Sequence, residues 1–435
     1  MNLQKSAAFK CIMKVLLVYL AMTLLGLILI LVSGFLPHES IYQHIVESAD
    51  VFAKEGALTE RIPGYRGTIP DNNTDAWMLL IADYNDRENG LMDLALGGHY
   101  NLYIEHVSEF IGMDNIALIG TENPIGVGDY PRYWHGWLLP LRVLLCAMNY
   151  RGIRVFNLIL VLVLAFICLI SMYKEKAMGL AIPFLVSMVF LFPYTISQCM
   201  AYMISFIIST LSMIMILLNR KRIDRSIGMP VFFMIIGAVT AYSEFLQFPV
   251  LTLGLPLVTI IYLQSEKESR EKLRLVLALS VMWALGYFGM WISKWVIATL
   301  LTEHDVIADA LSQIKIRTSG TGDLEMGEKI SRLKAVIICL PPVRKLPFVI
   351  ILCASIMYYV VMIIKNGAGK ALSGAASKFV PYLLTALIPV AWILVFANHS
   401  YSHNHFTYRV YVVAIFAVLA FAADVIRGEG KERIG

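Results

Sequence analysis

Apolar residues recur along the chain in runs of 17 to 26 positions, separated by two long polar loops and by short connectors, several of them rich in Lys and Arg. The runs lie near 12–35, 154–172, 177–196, 200–218, 229–246, 248–264, 275–300, 347–364, 379–397 and 410–426. Each approaches the roughly 20 residues that a helix needs to cross a hydrocarbon core about 30 Å thick. Helices satisfy their own backbone groups, which lipid demands. The pattern therefore predicts an all-α polytopic membrane protein with about ten transmembrane helices. One run, 134–150, is ambiguous. If it crossed, the basic clusters 174–176, 219–225 and 266–274 would fall on the opposite side from Lys5, Lys10 and Lys14. The positive-inside bias instead makes it an interfacial or re-entrant helix and places both termini in the cytoplasm.

This topology divides the chain into a first span (1–35), a long outer loop (36–153), spans two to seven (154–300), a second outer loop (301–346) and the C-terminal spans (347–435), with a short His-rich outer loop at 398–409. The first loop is patterned. Ile41, Ile45, Val46, Ala49 and Phe52 fall on one helical stripe, and Ala76, Leu79, Leu80 and Tyr84 on another. Such segments form amphipathic juxtamembrane helices or a small subdomain packed on the bundle, and the pattern leaves both open.

Composition supports the class: 58% of residues are hydrophobic and 15% charged, against roughly 25% charged in soluble domains. The net charge of +5 resides mostly in the short connectors, where it sets orientation and implies no nucleic acid. The six cysteines stand singly, mostly in apolar runs, and read as packing residues. Basic residues ahead of a long first apolar run resemble an uncleaved signal anchor.

Candidate chemistry concentrates in the polar loops. In "DNNTDAWML", Asp71 and Asp75 stand where a loop turns into a helix. Helix capping explains such residues; a general base at the membrane face is the sharper reading. Asn72–Thr74 form a glycosylation sequon. In "RYWHGWLLPLR", Arg132 and His135 lie among aromatic residues that suit interfacial anchoring, while the imidazole also suits a phosphate or a neighbouring carboxylate. Glu244 and Lys294 interrupt apolar runs, where a charge costs roughly 2.5 to 3.5 kcal/mol at the bilayer centre and tends to be functional; snorkelling is the plainer account of Lys294. "NHSYSHNHFTYR" gathers His399, His403, His405 and Arg409. A surface turn is the bland reading, and anion binding with Arg409 as the forked donor is the functional one. His399 and His403 also have metal-ligand spacing. A divalent metal held by Glu244 and these histidines is compatible with the sequence and not required by it.

Taken together, the N-terminal span, the long acidic outer loop, the bundle and the basic outer loop near the C-terminus resemble the GT-C class of polytopic glycosyltransferases. The stretches "DNNTD", "RYWHG" and "NHSYSHNHFTYR" look like a bacterial subset associated with envelope polysaccharides. The resemblance implies transfer of a sugar from a polyprenyl-phosphate donor to a glycan or lipid acceptor at the outer face of the plasma or inner membrane. Asp71 or Asp75 would then be the base. Arg132, His135, Glu244, Lys294, His399, His403, His405 and Arg409 would surround the substrate and its phosphate. The chain departs from the commonest pattern because its acids lie well past the first span, and no Asp-Glu or Glu-Glu pair stands close to it. The alternatives are a transporter or flippase for lipid-linked oligosaccharides or small solutes, using Glu244 and Lys294 as a coupling pair, and a structural membrane component. No internal repeat is visible to support the transporter.

Overall fold

The computed structural model describes residues 2–88, 90–105, 109–319 and 331–430. Every apolar run is helical. Seven helices are long and apolar enough to cross a membrane: Ile12–Ser33, Tyr150–Lys174, Met200–Ser226, Ser269–Leu301, Leu346–Lys365, Lys378–Val395 and Asn404–Arg427. Three others, Met178–Leu191, Met229–Ser243 and Val250–Leu263, are shorter. The longest of these rises roughly 23 Å, less than a core of about 30 Å. The expected ten thus divide into seven full-length helices and three short ones. The cause is local, since the chain leaves helical geometry at Phe192 and Leu246, whose φ angles are +56° and +64°.

The ambiguous run 134–150 contains only the helix Leu138–Leu145 before the next span begins at Tyr150. Its length, about 12 Å, is too short to cross. Among the described residues, the regular structure is helical apart from one short ladder. Within the long loop, Tyr100–Leu102 pairs antiparallel with Gly126–Gly128, Tyr100 facing Gly128.

Met229–Ser243 and Val250–Leu263 are apolar on all sides and sit at the centre of the bundle. Peripheral helices leave stripes exposed at intervals of three or four residues: Leu16, Leu20 and Leu24; Val155, Ile159 and Leu162; Leu277, Val281 and Leu285. In water such stripes would drive association; against lipid they cost nothing. Met229–Ser243 approaches Ser269–Leu301 closely because a Cβ on Gly237 or Gly286 would overlap the backbone carbonyl of Trp283 or Met234. Close approach is the main source of dispersion contact between helices in an apolar medium.

The polar and basic segments separate to opposite ends. Lys14 Nζ donates to Ser226 O at 3.0 Å, and Lys378 Nζ to Asp424 O at 2.7 Å, at the basic end. At the other end the long loop folds onto the bundle: Ile41, Ile45, Phe52, Leu79 and Leu80 join the common core. The buried Arg142 guanidinium donates to Ser33 O, Tyr84 O and Ala82 O at 3.0, 2.6 and 2.9 Å. That spread of donors ties the first span to the loop and satisfies a charge that would be costly to bury unpaired.

Candidate functional site

The helix Asn72–Asp83 starts where Asp71 satisfies its free amides. Asp71 Oδ1 accepts from Thr74 N at 3.0 Å, and Oδ2 accepts from the Thr74 hydroxyl at 2.7 Å. Asp71 is therefore a cap, yet it also lines a small pocket of about 150 Å³. Burial pushes the Asp71 carboxyl above the ordinary carboxylate range. The walls come from distant segments: Trp77 from the same helix, Tyr130 and Tyr133 from the loop ahead of Leu138–Leu145, Phe245 and Gln247 from the break after Ser243, and Arg317, His399 and His403 from the later loops. Trp77 Nε1 and both ends of the Gln247 amide are buried with no hydrogen-bond partner among the described residues. Orphaned donors and acceptors beside a pocket are complemented by a polar ligand or ordered water.

The cation here is Arg317, the last residue of Val306–Arg317. Its Nη1 donates to His399 Nδ1 at 2.7 Å, and His399 Nε2 donates to Leu246 O at 2.6 Å, which fixes the neutral tautomer. Burial, then the neighbouring His403 and Arg317, holds His399 well below its usual range. Burial, then Arg317, lowers His403 to about 4. The expected cationic histidine cluster is thus corrected: near neutral pH these imidazoles contribute hydrogen bonds, and Arg317 contributes the charge.

Tyr133 and Arg317 also border a second cavity of about 250 Å³. Its walls are almost wholly apolar and include Tyr287, Phe288, Trp291 and Trp295 from Ser269–Leu301, with Phe396. Phe288 also belongs to the exposed stripe of that helix, so the cavity lies against the lipid-facing surface. A polar pocket and an apolar slot therefore meet at one guanidinium and one tyrosine.

The other sequence candidates lie outside the polar pocket. Asp75 is fully buried and caps a different helix: it accepts from Met200 N and Ala201 N at 2.7 and 3.1 Å and from the Tyr150 hydroxyl at 2.5 Å. Arg409 donates to Leu191 O, His405 O and Gly67 O and stacks on Tyr202, 4.4 Å from the ring centroid. His405 packs edge-on against Phe406, ring centroids 4.8 Å apart. Lys294 Nζ donates to Leu96 O at 2.6 Å, and the Glu244 oxygens accept from Leu246 N, Gln247 N and Phe248 N at 2.7, 2.5 and 2.8 Å. No ion pair joins these two among the described residues, and Glu244 shapes the turn that presents Phe245 and Gln247. Among the described residues, Glu244 and the loop histidines do not gather their ligand atoms around one point.

His135 lies beneath the pocket, donating from Nε2 to Tyr130 O at 2.8 Å; burial, then Lys294, lowers it to about 3. Arg132 borders the apolar cavity, and its Nη1 reaches both oxygens of Asp309 at 2.8 and 2.6 Å, anchoring the helix that ends in Arg317. The sequon asparagine, Asn72, is fully buried and donates to Gly56 O at 2.8 Å, which closes it to glycosylation in the folded state.

Asp75→Asn should destabilise the fold, because an amide nitrogen would face donors that now meet oxygen. We expect a loss of about 1 to 3 kcal/mol, read as a lower unfolding midpoint of the purified protein. The folded carboxyl lies at about 6 against an ordinary 3.8, raised by burial. Its native state therefore holds the extra proton between those values, and this group's contribution to stability falls as pH rises through that window.

Sequence reasoning missed Arg317, Gln247, Trp77 and Tyr130. The available signal was Arg317 at the end of an amphipathic stretch within the polar segment 301–346, and Tyr133 within "RYWHG". Compared with known proteins, the chain matches no protein-family model, no curated protein and no solved structure.

Proposed function

We propose that the protein is a GT-C-like glycosyltransferase that moves a sugar from a polyprenyl-phosphate donor to an extracytoplasmic glycan or lipid acceptor. One observation carries the reading: the junction of a polar, aromatic-walled pocket with an apolar slot open toward lipid, sharing Tyr133 and Arg317. A lipid-linked sugar has that division, with an anionic phosphate between a hydroxylated ring and a hydrocarbon tail. In this reading the tail lies along Trp291 and Phe288, the phosphate meets Arg317, and the sugar meets Gln247 and Trp77. Asp71 takes the acceptor's proton as its oxygen bonds to the anomeric carbon. The bond from that carbon to the phosphate oxygen breaks, and Arg317 stabilises the charge left on the departing phosphate.

The test is transfer by the purified chain in proteoliposomes supplied with labelled polyprenyl-phosphate hexoses and an envelope glycan extract. Label appearing on the acceptor is the expected result. Absence of transfer from every donor, or passage of unchanged donor across the sealed bilayer, would overturn the assignment and favour a transporter. Within the same assay, Trp291→Ala should raise KM for a long polyprenyl donor by roughly tenfold, about 1.4 kcal/mol, with kcat little changed. That split is expected because the tail contacts are the same in the ground and transition states.

A further inference from the structure

A second cluster of ligating side chains stands apart from the pocket. The strand register places His99, just before Tyr100, opposite Asp129, just after Gly128. His99 Nδ1 lies 2.5 Å from Asp129 Oδ1, and its Nε2 lies 2.8 Å from Asp93 Oδ2. His304, between Ser269–Leu301 and Val306–Arg317, turns its ring toward the same point, with centroids 5.8 Å apart. One ligand atom each from Asp93, His99 and His304 fall within 4.8 Å of one another. The His304 ring makes no hydrogen bond among the described residues, and its nearest carboxylate oxygen is Asp129 Oδ2, at 3.9 Å.

We propose that Asp93, His99 and His304 bind a divalent cation of the zinc class, with Asp129 orienting His99 from behind. The chemistry is that of a mixed imidazole and carboxylate set, which suits Zn²⁺ and not Mg²⁺. Ligands about 2.0 to 2.1 Å from zinc stand roughly 3.3 Å apart in a tetrahedron, so small side-chain rotations close the site around an ion. Asp129 accepts the Nδ1 proton and holds the ring, while the cation takes the place of the Nε2 proton now shared with Asp93 and releases it to solvent. Asp129 and His304 keep side-chain exposures of 40% and 29%, which leaves a path from solvent and a fourth position for water. The ion would cross-link the long loop to the connector ahead of Val306–Arg317, the helix that carries Arg317. Its role is to hold that helix, and it is independent of the transfer reaction proposed above.

The experiment is zinc titration of the chelator-treated, full-length protein in detergent, followed by metal analysis and calorimetry. One Zn²⁺ per chain is expected, with a rise in the unfolding midpoint that Mg²⁺ does not reproduce. His304→Ala and Asp93→Asn should weaken binding at least tenfold, Asp129→Asn by roughly 10- to 100-fold, and His403→Ala not at all. Unfolding midpoints measured in chelator establish that each variant is folded. Co²⁺ absorption of the wild type reports nitrogen and oxygen ligation without any variant. Absence of stoichiometric zinc and of a cobalt spectrum, or loss of zinc in His403→Ala with binding intact in His304→Ala, would overturn the proposal.

Discussion

Replacing Asp71 with asparagine is expected to lower the rate of sugar transfer by roughly 10²- to 10⁴-fold, the range that a positioned general base supplies, while leaving the protein folded. The substitution separates the observed cap from the proposed base. Asparagine caps helices as well as aspartate does, so the bond to Thr74 N and the start of Asn72–Asp83 survive. What is lost is the proton acceptor in the pocket. Asp71→Ala removes both, and should also lower the unfolding midpoint by the loss of a cap, about 1 kcal/mol. The pH profile gives a second readout. Burial raises the folded carboxyl above 3.8, and the base must be ionised, so kcat/KM should fall on the acid side through a pKa higher than that of an ordinary aspartate. In Asp71→Asn this acid limb should vanish. Full activity in the asparagine variant, with its acid limb intact, would remove Asp71 as the base.

Arg317 is the second position where a large effect is expected. It is the one charged side chain shared by the polar pocket and the apolar slot. Arg317→Ala should lower kcat by about 10²- to 10³-fold, the loss seen when a donor aimed at developing negative charge is removed. Arg317→Lys should recover only part of this, since a point charge cannot reproduce the forked guanidinium that serves His399 and a phosphate together. The control is Arg409→Lys, at a guanidinium held on backbone carbonyls outside the pocket. It should act on the unfolding midpoint more than on kcat of the folded fraction. If the two arginines exchanged these behaviours, the phosphate would have to be placed elsewhere.

The candidate site was legible in part. Asp71 was visible because its surroundings are local: a cap needs only the next three residues, and Asn73 and Thr74 of that same turn line the pocket with it. Asp75 looked equivalent in the sequence, and is not. Its partners are the amides of Met200 and Ala201, 125 and 126 residues away, so nothing near it in the chain announces that its oxygens are committed. Arg409 was singled out and Arg317 was not, for the same reason. The first stands in a conspicuous histidine-rich stretch, and the second ends a helix whose last turn holds Lys315 and Arg317, an ordinary placement of cations at a helix C-terminus. The histidines were found, but their charge was not, because only packing around His399 and His403 reveals how far burial opposes protonation.

By itself the sequence determined the membrane class, the helical positions of the apolar runs and the non-spanning character of 134–150. These follow from the length and polarity of contiguous segments, and contiguity is what a chain records. Tertiary structure decided which helices fall short of a full span, which polar groups are consumed by backbone partners, and which remain free at the meeting of pocket and slot. Those outcomes depend on contacts between residues far apart in the chain, as when Arg317 meets His399, 82 positions on, and Arg132 meets Asp309, 177 positions on. A buried polar group becomes available or committed only when its neighbours in space are fixed.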